Sequence, residues 1–262
     1  MKFFRGPWHH AELMFAHEEI DSHGRSSENN PSLVMLIRRC ARLTVYLSVS
    51  ACTSQSLATT TVDAAASAFA RDLVTAALQR TRQHVRYDPT YQVIPYPGGD
   101  VPLDRGVCTD VVIRSYRAVG IDLQKDVHED MRIAFRSYPR RWRLRRTDTN
   151  IDHRRVPNLR RFFIRKGRSY PLSLSGNDYQ PGDLVTWDLG KPGAGLHPVA
   201  ARRLDRVTAS RTPHIGIVSD RRSQDGRRPL IVHNIGGGTQ LSDILFSFQI
   251  TGRYRYGPRQ RK

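Results

Sequence analysis

The chain has 262 residues, 39% of them hydrophobic and 25% charged, with a formal net charge of +18, proportions that exclude a wholly disordered chain and allow one large domain. The charge is almost all arginine, since Lys2, Lys125, Lys166, Lys191 and Lys262 are the only lysines among 42 basic residues. It is spread along the chain, with no zinc-finger, recognition-helix or stacking-platform pattern, so no nucleic-acid partner is expected; an arginine-rich surface or attraction to an anionic envelope is left.

Residues 1–34, with His9, His10, Glu18 and Glu19, do not suit the start of a targeting signal, and Met35 reads as the natural initiator. From Met35, Arg38, Arg39 and Arg42 precede the apolar stretch Leu43 to Ala51, the shape of a signal peptide. The stretch is shorter than the ~20 residues a membrane span needs. Val49-Ser50-Ala51-Cys52 resembles a bacterial lipobox, so residues 35–52 read as a signal with Cys52 as the lipidation site, and export to the periplasm or cell envelope with a membrane anchor is the expectation. A simple secretory signal cut after Ala58, or a buried apolar helix, are the alternatives. Residues 53–62 are small and polar and read as a tether, leaving 63–262 as the folded domain.

Within that domain, Phe69, Leu73, Val74, Ala77 and Leu78 predict a helix over 63–82 behind an Asp63 cap. Tyr87 to Tyr96 reads as a strand, followed by a turn at Pro97-Gly98-Gly99-Asp100. Val107, Val111, Val112 and Tyr116 predict a helix over 106–119, stopped by Gly120, with Cys108 in its first turn. Helices over 122–136 and 157–166 follow, and then short strand-like runs at 184–187, 214–219, 230–233 and 244–256. Helices first and strands later predict an α+β domain with an antiparallel sheet.

With Cys40 in the removed segment and Cys52 acylated, Cys108 is the one thiol of the mature chain, either an inert core residue or a nucleophile. A helix N-terminus favours the thiolate, and its free amides form part of an oxyanion hole. His214 opens one apolar strand and the pair His233-Asn234 closes the next, so a hairpin brings the two histidines together; an imidazole oriented by a second polar group is what a cysteine nucleophile needs.

Gly106-Val107-Cys108-Thr109-Asp110, Gln180-Pro181-Gly182-Asp183, His214-Ile215-Gly216-Ile217-Val218 and Val232-His233, in this order, resemble the motif series of NlpC-type papain-like cell-wall peptidases. More closely, YPGGDVPLDRGVCTDVVIRSYRAVGIDLQKDVHEDM, NIDHRRVPN and HIGIVSD resemble the bacterial family catalogued as domain of unknown function 1287, over roughly residues 70–258. The resemblance implies a papain-like fold with Cys108 as nucleophile, His214 as general base and acid, and His233, or failing it Asn234, as the orienting group. It also implies cell-wall peptide as substrate, without a cofactor. The usual Asp-Cys-Ser-Gly is here Val107-Cys108-Thr109-Asp110, and an insertion over about 124–178 is expected to wall one side of the cleft. A non-catalytic lipoprotein that binds peptide or glycan, and an amidase or acyltransferase on another substrate, are the rival readings.

Further candidates for substrate contact are Tyr96, Asp110 and the guanidinium forks of Arg154 and Arg155. The segment Asp148 to Arg155 matches no standard metal spacing and reads as a loop pinned by its own pairs. Gly236-Gly237-Gly238 lacks the strand and lysine of a phosphate loop and reads as a turn. If the lipobox reading holds, a tagged chain sediments with membranes after globomycin-sensitive processing and Cys52→Ser releases it; identical soluble behaviour of both proteins excludes the anchor.

Overall fold

The computed structural model describes residues 65–139, 141–142, 145–193 and 212–258. The expected extension over 1–34, signal over 35–52 with Cys52, and tether over 53–62 lie outside the described residues.

Helix α1 occupies 65–80, and α2 (Cys108–Ala118), α3 (Leu123–Ala134) and α4 (Val156–Lys166) follow. Strands β1 (Arg86–Tyr87) and β2 (Arg105–Gly106) form a short parallel ladder. The others, β3 (Arg168–Ser169), β4 (Leu184–Pro192), β5 (Pro213–Arg222), β6 (Pro229–Asn234), β7 (Thr239–Ser242) and β8 (Phe248–Arg255), form one six-stranded antiparallel sheet in the order β3-β8-β4-β5-β6-β7. This is the mixed α+β architecture that the sequence predicts.

Strand alternation divides the core between the two faces. Leu184, Ile215, Ile217, Val232 and Tyr254 pack with Leu73 and Ala77 of α1, Val112 and Tyr116 of α2, Val127 of α3 and Phe162 and Phe163 of α4. On the other face Val185, Trp187, Val218, Ile231 and Ile250 pack with Tyr179 and Leu245. Helix α2 lies deepest, since every residue from Cys108 to Tyr116 is buried. A helix buried all round must satisfy its polar side chains internally. Ser115 Oγ accordingly donates to Val111 O at 2.7 Å, and the Arg114 guanidinium meets Asp100 at 3.0 Å and the carbonyls of Val101, Pro102 and Arg105. Gly120, at φ +82°, ends the helix where the sequence sets its stop.

Two strand expectations change. Of the run Tyr87 to Tyr96, only Tyr87 is in a strand. Pro89 and Pro95 remove ladder donors, and side chains satisfy this backbone instead: Ile94 N–H donates to Asn150 Oδ1 at 3.0 Å, and Gln124 Nε2 donates to Pro95 O at 2.9 Å. The last strand starts at Phe248 rather than Ile244, because Ser247 N–H closes a turn onto Ile244 O. Strands β3 and β7 are too short for alternation to reveal.

The Pro-Gly-Asp turn enters the sheet through a buried ion cluster. Gly182 takes φ +85°, and the Asp183 side chain, fully buried, pairs with Arg253 at 2.6 Å and with Arg255. Arg253, itself buried, also donates to Asp178 O and lies 4.9 Å from the Tyr179 ring centroid. Removing one partner of such a group strands a buried charge, so Asp183→Asn lowers unfolding free energy in urea by about 3 kcal/mol or more; a loss below about 1 kcal/mol would show that the cluster is not what holds β4 to β8.

Candidate functional site

Helix α2 begins at Cys108, with Val107 in extended conformation at the cap. Valine has no side-chain acceptor, so the cap is built from inside the helix: Asp110 Oδ2 accepts the Val107 N–H at 2.7 Å. The same carboxylate takes a two-pronged bond from Arg154, Nε to Oδ1 at 2.8 Å and Nη2 to Oδ2 at 2.9 Å, with both side chains under 5% exposed. Thr109 Oγ1 donates to Arg154 O at 3.1 Å, and Arg154 Nη1 reaches Thr90 O at 3.4 Å. A Cβ on Gly106 would stand 3.1 Å from Asp110 Oδ2, so glycine there leaves room for the carboxylate.

The Cys108 sulfur is enclosed. The residue is 5% exposed and belongs to the helix-side apolar cluster. Burial pushes the thiol up to about 12, outweighing the backbone amides of Ile215, Thr109 and Cys108 that pull it down, while the Asp110 charge adds to the rise. The helix terminus favours the thiolate as expected of it, but desolvation exceeds the help of the amides. Tyr87, 40% exposed and opposite Gly106 in the β1–β2 ladder, stands close enough to feel the charges of Cys108 and Asp110.

The hairpin β5–β6 brings the histidines together. His214 Nε2 and His233 Nδ1 are 3.1 Å apart, with ring centroids at 5.1 Å and planes at 85°. Continuing the Ile217–Val232 register by one residue sets Gly216 against His233, on the sheet face that also carries His214. A Cβ at Gly216 would come within 2.6 Å of Ile231 Cγ2 and 3.2 Å of His233 Cβ, so the glycine lets β6 pack closely where it carries His233. Trp187, paired with His214 across β4, lies 5.8 Å from that imidazole between centroids.

Strand β5 passes both groups: the Ile215 amide that pulls the thiol down follows His214 directly. Among the described residues no hydrogen bond links the sulfur to a histidine, and the side-chain hydrogen bond of His214 runs to His233. Strand alternation nevertheless sets them on opposite faces of the sheet: Cys108 packs with Ile215 and Ile217 on the helix side, whereas His214 and His233 share the face of Trp187 and Val218, so the structure does not bring thiol and imidazole together as the sequence predicts. Burial lowers His214 to about 3, with the charge of His233 a second cause, and lowers His233 to about 4. Neutral thiol and neutral imidazoles are the resting state at pH 7.

The other sequence candidates separate. Asp110 and Arg154 are buried on one another, so neither is open to substrate as expected; they position the helix that carries Cys108. Arg155 pairs with Asp152 at 3.2 Å and lies 4.0 Å over the Trp142 ring. Tyr96 packs edge-on to His128 at 5.0 Å and is 40% exposed. Asn234 is fully buried, its Oδ1 accepting Gly236 N–H at 3.1 Å, so it is His233 that contacts His214. Tyr87 and Gly216 were not singled out by sequence; the lone glycine in the apolar run His214 to Val218 was the available signal. Among the described residues no three His, Cys, Asp or Glu side chains converge as metal ligands, and no helix is long and apolar enough to cross a membrane.

His153, His214 and His233 are all buried and held below the ordinary histidine value, to about 3, 3 and 4, each chiefly by burial. Their neutral forms contribute stability above the unfolded value near 6.5, and it is lost as pH falls from there towards the folded values, because the unfolded chain binds the extra protons. Each adds a slope of up to about 1.4 kcal/mol per pH unit in that window. His153→Gln flattens the dependence of unfolding free energy between pH 6 and 4; an unchanged slope would mean that His153 titrates normally.

The profile of the family described as Domain of unknown function (DUF1287) matches residues 74–256. The chain is similar to Uncharacterized protein YijF of Escherichia coli (strain K12), 48% identical over 180 residues that cover 69% of this chain and 78% of that protein. No solved structure matches. A match over this much of the chain, with a relative this similar, shows that the protein belongs to the DUF1287 family.

Proposed function

We propose that the chain is an exported papain-like cysteine hydrolase that cleaves an amide or peptide bond in cell-wall peptide. The observation that carries the reading is the histidine pair, the His214 imidazole held 3.1 Å from His233 on a strand whose next residue, Ile215, packs in one cluster with Cys108 at the start of a buried helix. The NlpC-type fold, the envelope location and the lipid anchor rest on the ordered motifs and the signal-like segment of the sequence.

In this mechanism His214 takes the thiol proton at Nδ1 while its Nε2–H donates to His233 Nδ1. The thiolate attacks the carbonyl carbon, and free amides at the start of α2 receive the oxyanion. His214 then gives its proton to the departing amine, leaving a thioester. Water, deprotonated by His214, attacks the thioester, and collapse returns the thiol and releases the carboxylic acid. Since the thiol and the imidazoles rest neutral and on opposite faces of β5, the mechanism requires that substrate binding rearrange the start of β5 so that sulfur and imidazole meet.

Incubated with disaccharide-peptide fragments, the purified protein yields products that together gain one water by mass spectrometry. Cys108→Ala and His214→Ala abolish this, and His233→Asn retains more activity than His233→Ala because an amide can still orient the ring. Products that persist in Cys108→Ala would refute the assignment. The enclosure of the sulfur favours a second reading, a non-catalytic module that binds peptide or glycan. Complete absence of products, with Cys108 unlabelled by iodoacetamide even when ligand is bound, would select it.

A further inference from the structure

Beside the nucleophile helix lies a surface that the hydrolytic machinery does not use. Tyr91 and Trp142 are 54% and 38% exposed. Arg155 joins them: its guanidinium lies 4.0 Å from the Trp142 ring centroid, pairs with Asp152 at 3.2 Å, and is near enough to Asp148 and Tyr91 for both to act on its charge.

The Tyr91 hydroxyl is engaged on both sides, accepting from Asn150 Nδ2 at 2.7 Å and donating to Asp148 Oδ2 at 3.2 Å. What Tyr91 offers a ligand is therefore its ring. The backbone beneath it is fixed by Ile94 N–H to Asn150 Oδ1 at 3.0 Å and by Arg154 to Thr90 O at 3.4 Å.

Two exposed aromatic side chains bordered by a carboxylate and a guanidinium define the ligand chemistry. An apolar peptide side chain calls for a concave, dry pocket. A pyranose matches what is present: its C–H faces pack on aromatic rings, and its hydroxyl and acyl groups reach an acceptor in Asp148 and donors in Arg155. The location fits as well, because Arg155 follows Arg154, the residue that grips Asp110 two positions from Cys108.

We propose that Tyr91, Trp142 and Arg155 form a saccharide subsite that holds the sugar to which the scissile peptide is attached. The subsite rests on the hydrolase reading only for what the sugar carries. The test uses full-length protein with Cys108→Ala and the peptide-free disaccharide of N-acetylglucosamine and N-acetylmuramic acid, titrated by calorimetry. The disaccharide binds, Tyr91→Ala and Trp142→Ala each weaken it about tenfold, and Trp142→Phe stays within about threefold because a ring is kept. Unchanged melting temperatures separate these losses from misfolding. No binding of the disaccharide, or binding indifferent to both alanine variants, overturns the subsite even if peptide is cleaved. Sugar binding that obeys these variants in a protein that cleaves nothing removes the hydrolase reading and leaves the subsite standing.

Discussion

The carboxylate of Asp110 is the joint on which the site depends. It caps the helix that carries Cys108, and through Arg154 it binds that helix to the segment before α4 and to the loop at Thr90. A buried ion pair of this kind contributes little net stability against an apolar substitute, but breaking one side of it is costly. Its value here lies in register. With Val107 unable to cap, the starting point of α2 is set by a side chain from within the first turn, and a guanidinium from a distant segment sets where that turn sits. The position of the sulfur against Ile215 follows from both.

Sequence pattern gave the larger elements and missed the joints. Val111, Val112 and Tyr116 announce α2, and Gly120 its end, because periodicity and left-handed backbone are local properties. His214 and His233 could be paired because a hairpin makes distant residues neighbours by a simple rule. Asp110 and Arg154 looked like substrate ligands because exposed and buried guanidinium groups read alike in a sequence; burial is a property of the assembled chain. The same holds for the sulfur. Its place at a helix terminus is legible, yet the amount of water around it decides its acidity, and that depends on what β5, β2 and β1 lay over it.

The two imidazoles are linked by a tautomer constraint. For His214 to accept a proton at Nδ1, its Nε2 must donate to His233, and His233 must then carry its own proton on Nε2, a buried atom without a partner. An unmatched buried donor costs about 1–3 kcal/mol. The reactive tautomer is thus disfavoured at rest, and an acceptor supplied near His233 shifts the pair towards it. Gly216 matters beside the pair, since a Cβ there would press on Ile231 and on the Cβ of His233.

The enclosed, uncharged sulfur bears on the chain's chemical lifetime. Peroxide and disulfide reagents react with the anion of cysteine, and at pH 7 a group with its midpoint near 12 presents about one anion in 10⁵ molecules. Cys108 is thereby shielded from sulfenic acid formation and from capture by stray disulfides, and a protein that meets oxidants between encounters with its ligand keeps that atom reduced.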